Sequence, residues 1–222
     1  MTTGLILAGG KSQRMGQDKS LLVLAGRTLI ERALDALRPL CDELLIATNA
    51  PHPYDHLHVR TVPDRFLEGG SLAGLQAGLT AAAGEQVIAV ACDMPFLNSG
   101  LLRYLVSLSA DVDAVVPDLS GSTLSERAGA TGDNRPKAKQ LDLHPLHAVY
   151  RRTCLPAIEA QLCADDRRMM GFLDHVRTRY VTRAEVLPFD SQLHSFFNAN
   201  TPGEWAEAER IARSRLDAGV DG

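Results

Sequence analysis

Val87-Ile88-Ala89-Val90-Ala91-Cys92 is an unbroken apolar run, and a strand of this kind is stable only where both faces of its sheet are covered. A strand with one wet face would alternate apolar and polar residues. Cover on both faces implies helices on either side of a largely parallel sheet. The rest of the chain agrees. Gly4-Leu5-Ile6-Leu7-Ala8 reads as a buried first strand, followed by strands over 43–48, 58–62, 114–116 and 179–182 and by periodic residues over 146–150. Between them, helical spacing predicts helices over 29–37, 72–83, 101–108 and 155–162. Two capping boxes mark helix starts, Thr28 with Glu31 and Thr201 with Glu204, the second with Pro202 at the favoured first helical position.

The length of 222 residues suits one α/β domain, and we expect a single domain over 1–222. Residues 118–142, rich in Ser, Gly, Thr and charge, break the periodicity and are expected to be a flexible loop. A net charge of -4 argues against a nucleic-acid binder driven by bulk electrostatics. No apolar run reaches the ~20 residues that span a bilayer. Gly9-Gly10-Lys11 arrives too early for a signal peptide. The four cysteines form no C-x-x-C pair, so a reducing, cytoplasmic compartment is expected, with neither membrane nor nucleic acid as partner.

Polar residues with chemical potential cluster where strands end. The first strand runs into Gly9-Gly10-Lys11-Ser12-Gln13-Arg14-Met15-Gly16-Gln17-Asp18-Lys19. Glycines there let backbone amides approach a phosphate or base, and Arg14 and Lys19 add positive charge. The spacing fits neither a P-loop nor a dinucleotide fingerprint; a solvated glycine turn is the plainer alternative. Asp93 closes the apolar run, at the sheet end where open α/β folds bind ligands. It suits a Mg²⁺ ion, which takes one or two protein carboxylates, or else a turn before Pro95. Asp64 ends the third strand, and Gly70-Ser71-Leu72-Ala73-Gly74 opens a helix whose free amides attract anions. Asn49 is either a base contact or a turn former. Asn198 and Asn200 alternate before the last helix, offering uncharged donors and acceptors, with Asn200 also able to cap. Arg167 and Arg168 are a potential phosphate fork or a solvated pair.

Leu-Ala-Gly-Gly-x-Ser-x-Arg-Met-Gly-x-Asp-Lys, Asp-x-Pro at Asp93 and Asn-x-Asn-Thr-Pro at Asn198 together resemble the molybdenum cofactor guanylyltransferases, GT-A-type nucleotidyltransferases with a Rossmann-like sheet. The likeness runs from Leu5 to about Ala212 and carries nothing over for 118–142. It implies that Leu7, Ala8 and Gly9 contact guanine, with Gly9 favouring GTP over CTP, that Gly10 belongs to the same GTP-binding loop, and that Lys19 and Arg14 bind phosphates. It makes Asp93 the Mg²⁺ ligand, Asp64, Gly74 and Asn49 nucleotide contacts, and Asn198 and Asn200 the junction of the two substrates. Ser71 stands where the family has Pro. Arg167 and Arg168 fall on the molybdopterin side.

The implied reaction is transfer of GMP from GTP to molybdopterin with loss of pyrophosphate, catalysed by Arg14, Lys19 and Asp93. Apo-molybdoenzymes or their chaperones are further partners this would entail. The alternatives are a sister enzyme using CTP or a sugar phosphate, and a non-catalytic GTP-binding delivery protein.

Overall fold

The computed structural model describes residues 1–8, 18–121 and 142–217. Its strands are β1 (Thr2–Leu7), β2 (Val23–Leu24), β3 (Arg27–Thr28), β4 (Glu43–Ala47), β5 (Arg60–Val62), β6 (Gln86–Ala91), β7 (Ala114–Asp118), β8 (His147–Arg151) and β9 (Thr178–Thr182). The α-helices are α1 (Leu29–Leu37), α2 (Gly70–Ala81), α3 (Ser99–Ser107), α4 (Leu155–Cys163), the short α5 (Arg183–Val186) and α6 (Pro202–Asp217). Seven strands form one sheet in the order β5-β4-β1-β6-β8-β7-β9, and β2 and β3 pair as a small hairpin. β8 alone runs against its neighbours β6 and β7; the other pairings of the large sheet are parallel.

Apolar residues seal both faces of the sheet. Leu5 and Leu7 of β1 and Val87 and Ala89 of β6 pack towards α2 and α4. Ile6, Ile88 and Val90 pack the other way, against α1 and α3. This alternation along fully apolar strands is the two-sided burial expected of the 87–92 run. A smaller cluster joins Leu24, Leu29 and Phe96 to Ala199, Ala208 and Ile211, fastening α6 across the hairpin.

The helix α1 spans Leu29–Leu37 as its spacing predicts, and both halves of its capping box form: Thr28 accepts from the Glu31 amide, and Glu31 accepts from the Thr28 amide. β5 begins at Arg60, two residues later than expected, because His58 adopts a left-handed conformation (φ 51°) closing the 3-10 turn His52–Leu57. β7 extends through a buried Asp118, so the interruption in periodicity begins after that residue; the remainder of the expected flexible loop, 122–141, lies outside the described residues. Among the described residues no helix is long and apolar enough to cross a membrane.

Strand order reverses between β1 and β6. The chain adds β4 and β5 on one side of β1, then crosses to place β6 on the other. Leu7 is in register with Ala91 on one side and with Ala47 on the other, so three strand ends lie level. The segments leaving these ends are those the sequence marks as polar and reactive.

α2 lies close on β1 because it has glycine where it crosses. A Cβ on Gly78 would sit 2.6 Å from Leu5 Cδ1 and 2.9 Å from Leu5 Cγ, and Leu5 is fully buried. On Gly203, in the first turn of α6, a Cβ would meet nothing within 4 Å. One substitution should therefore act with opposite signs at the two sites. Gly78→Ala gains helix propensity of about 1 kcal/mol but overpacks the core, and we expect a net loss of ~1–2 kcal/mol. Gly203→Ala should raise stability by up to ~1 kcal/mol. Urea unfolding of both variants checks this pair.

Candidate functional site

The crevice is built on the level ends of β4, β1 and β6. Ala8 continues the ladder one residue past β1, donating its amide to the Ala47 carbonyl at 3.0 Å. On the other side the Cys92 amide donates to the Leu7 carbonyl at 3.2 Å, which delivers the next residue, Asp93, to the mouth of the sheet. The Ala199 amide then donates to the Asp93 carbonyl at 3.1 Å. That single backbone bond seats the Asn198-Ala199-Asn200 segment beside Asp93, across more than a hundred residues of sequence.

Lys19 completes this group. Its Nζ donates to the Asn200 backbone carbonyl at 3.2 Å and to Asn200 Oδ1 at 3.3 Å. Asn200 is in turn held by Glu204, whose Oε2 accepts from the amides of Asn200 (2.9 Å) and Thr201 (2.8 Å). Thr201 Oγ1 accepts from the Glu204 amide, closing the second capping box. The box does more than start α6, since it also fixes the residue that holds Lys19. The Asn198 side chain is half-buried and makes no hydrogen bond among the described residues.

Asp93 is the electrostatically unusual member. Burial pushes its pKa up; a hydrogen bond from its own backbone amide and the charge of Lys19 pull it down, and the charge of Glu204 pushes it up. No other described residue donates a hydrogen bond to its side chain. A desolvated carboxylate with only its own backbone amide as donor is a position a divalent cation satisfies. Among the described residues there is no group of three or more His, Cys, Asp and Glu side chains arranged around a metal. Asp93 fits the one-carboxylate manner in which Mg²⁺ is held when phosphate and water supply the other ligands.

The second corner of the crevice lies at the ends of β4 and β5. Asn49 Nδ2 donates to Asp64 Oδ2 at 3.0 Å, and the Asp64 amide donates to Asn49 Oδ1 at 2.8 Å. Burial raises the pKa of Asp64, and the Asn49 bond opposes that shift. Gly74 faces the same corner: a Cβ there would lie 3.2 Å from Leu7 Cδ2, 3.5 Å from Ala47 Cβ and 3.6 Å from Asp64 Oδ1. Leu7, Ala8, Asn49, Asp64 and Gly74 thus form one wall, and Lys19, Asp93 and Asn200 the other. Asn49 lies at a bend in the chain and holds Asp64.

Three expected site residues, Gly9, Gly10 and Arg14, lie outside the described residues. Arg167 and Arg168 follow α4 and meet neither wall. Arg167 donates to Asp165 Oδ1 at 2.9 Å and lies 3.7 Å from Glu68, while Arg168 donates to Asp166 Oδ2 at 2.6 Å. Both guanidinium groups already have carboxylate partners, which makes them a self-compensated surface pair at the loop leading into α2.

Spacing alone does not reveal the part played by four further residues. Glu204 is visible in the sequence only as a helix cap. Asp18 and Tyr54 are partners 36 residues apart, with Tyr54 Oη donating to Asp18 Oδ2 at 2.6 Å. Tyr54 stands among prolines and histidines in a stretch without periodicity, so nothing local flags it. His147, in the strand after the variable segment, is fully buried against the Phe196 ring (4.6 Å between centroids). Burial pushes its pKa down to about 3, which keeps it a neutral packing residue beside the Asn198 segment.

The family described as "MobA-like NTP transferase domain" matches residues 4–180. A relative from Pelotomaculum thermopropionicum, named "Probable molybdenum cofactor guanylyltransferase", is 35% identical over 212 residues, covering 96% of this chain and 94% of the relative. One from Desulfosudis oleivorans, named "Molybdenum cofactor guanylyltransferase", is 34% identical over 214 residues, covering 96% of each. Among solved structures, molybdopterin-guanine dinucleotide biosynthesis protein A from Archaeoglobus fulgidus superposes with a TM-score of 0.75 at 25% identity, over 96% of this chain and 99% of that one. The crevice at the β1–β6 reversal therefore sits in a known setting: the chain belongs to the MobA-like NTP transferase family and is a nucleotidyltransferase.

Proposed function

We propose that this nucleotidyltransferase moves GMP from GTP to molybdopterin, releasing pyrophosphate. The observation that carries the reading is the convergence of Lys19, Asp93 and Asn200, from the two ends and the middle of the chain, at the end of the sheet. The names borne by the relatives support GTP and molybdopterin as the two substrates.

In this scheme the guanosine occupies the wall of Leu7, Ala8, Asn49, Asp64 and Gly74. The phosphates extend towards Lys19 and Asp93. A phosphate monoester on the acceptor is already anionic near neutral pH, so its attack on the α-phosphorus of GTP needs no general base. The chain's own task is to align acceptor and donor and to offset charge on the departing pyrophosphate. Lys19 supplies positive charge for that purpose, and Asn198 and Asn200 offer neutral donors where acceptor and nucleotide meet. Asp93 would hold Mg²⁺, which when bound draws charge from the phosphate oxygens. Arg14, Gly9 and Gly10 act in the same scheme by their place in the glycine motif, and Arg167 and Arg168 would have to exchange carboxylate partners to meet molybdopterin.

The decisive measurement is pyrophosphate release from GTP in the presence of molybdopterin and Mg²⁺. We expect turnover with GTP, little with CTP, and none after chelation of divalent ions. Release from CTP in preference to GTP would assign the chain to a sister activity; GTP binding without pyrophosphate release would make it a carrier.

Asp93→Asn separates function from stability. Activity should fall by about 10²–10³-fold or more, the range for removing a group that stabilises developing charge. Stability should move the other way. The folded-state pKa of Asp93 is raised by burial, so its ionisation destabilises the native state as pH climbs from the unfolded-state value of about 3.9 through the folded one. The variant should therefore unfold at or above the wild-type temperature at pH 7 without added metal, with the gap closing below about pH 3. Thermal melts at the two pH values check the sign; a variant less stable than wild type at pH 7 contradicts it.

A further inference from the structure

Between Asn49 and β5 the chain makes the 3-10 turn His52–Leu57, in which Tyr54 alone is buried, at 1% exposed. Its ring packs in the core between the sheet, α1 and α3. Its hydroxyl surfaces where the chain leaves β1 and where it returns at Asp18. There it contacts Asp18 Oδ2 at 2.6 Å, Ser20 Oγ at 3.0 Å and the Ala8 carbonyl at 3.5 Å.

A phenol has one proton for these three oxygens. The short approach to an ionised carboxylate identifies Asp18 as its acceptor. The other carboxylate oxygen is also engaged: Asp18 Oδ1 accepts from the Ser20 amide at 3.0 Å and from Ser20 Oγ at 2.7 Å. Asp18 therefore caps the short turn Lys19–Leu21, and both of its oxygens are held in place. Lys19 is the first residue of that turn. Its ammonium reaches Asn200, and its backbone is held on one side by the Asp18 cap and on the other by the Leu22 amide, which donates to the Lys19 carbonyl at 3.1 Å. The same segment between β4 and β5 holds Asp64 through Asn49, so one stretch of chain supports both walls of the crevice.

We propose that Tyr54 is a positioning residue for the transfer reaction, acting through Asp18 to hold Lys19 where the phosphates of the nucleotide bind. The proposal rests on the nucleotidyl-transfer reading above. Without the hydroxyl, Asp18 Oδ2 loses its donor, the cap loosens, and Lys19 no longer meets the phosphates in a fixed geometry. Misplacement of a charge-stabilising group by about 1 Å is enough to slow an enzyme by up to ~10²-fold.

The test is a double-mutant cycle on the full chain, with pyrophosphate release from GTP as the readout. Tyr54→Phe keeps the ring and should lower kcat/KM by about 10- to 100-fold; Asp18→Asn should do the same. In a Lys19→Met background, adding Tyr54→Phe should cost less than about twofold, because the residue through which it acts is already gone. A purely structural lesion would multiply with the loss of Lys19, and that outcome overturns the proposal, as does a Tyr54→Phe enzyme with wild-type kcat/KM. A second measurement needs no turnover. In nucleotide-free protein, hydrogen exchange over Ser20–Leu22 should quicken in Tyr54→Phe while exchange in β1 and β6 stays unchanged. Unchanged exchange at Ser20–Leu22 also overturns the proposal, whereas wild-type protein that releases no pyrophosphate overturns only the functional reading.

Discussion

The strands of the central sheet are sealed on both faces, and this forces polar chemistry to their ends. Leu5, Ile6, Val87, Ile88, Ala89 and Val90 are fully buried, with every backbone group between them committed to the ladder. An unpaired polar group inside such a sandwich costs a few kcal/mol, so side chains that must meet ions or solvent have no place along it. At the carboxyl ends of β1 and β6 the ladder stops, the helices diverge, and the reversal of strand order leaves a gap between them. Lys19, Asp93, Asp64 and the Asn198 segment all gather at this gap.

The balance of charge there is deliberate in a physical sense. Asp93 is desolvated with its own backbone amide as its one donor among the described residues, while Lys19 is turned onto the neutral oxygens of Asn200. The two opposite charges are near enough to influence each other but are not neutralised by a direct ion pair. An ion pair would quench both groups before substrate arrives. Separated, neither charge is quenched by the other. Glu204 sustains that separation by gripping the Asn200 and Thr201 amides. By contrast Arg167 and Arg168 are paired with Asp165 and Asp166 at the surface.

Much of the fold was legible because its signals are local. Periodicity and a capping box place α1 residue for residue, and the apolar run at 87–92 places β6 within one. The direction of β8 was not legible, since an apolar strand reads alike in either sense; only the hydrogen-bond register of Val90 with His147 and Ile88 with Val149 shows it antiparallel. His58 was drawn into β5 by its neighbours, whereas it adopts a left-handed conformation and donates its amide to the Asp55 carbonyl, closing the 3-10 turn.

The candidate site divides the same way. The sequence by itself determined the chemical inventory: a lysine after a glycine-rich turn, an aspartate at the end of a buried strand, alternating asparagines before a capped helix. Those are properties of short segments, where residue type and spacing carry the physics. Only the tertiary structure decided which members meet. It set Lys19 on Asn200, seated Ala199 on Asp93, recruited Tyr54 and Glu204 as supports, and left Arg167 and Arg168 to their own carboxylates. The reason is that hydrogen bonds act over about 3 Å, and which groups come that close is fixed by packing between segments far apart in the chain.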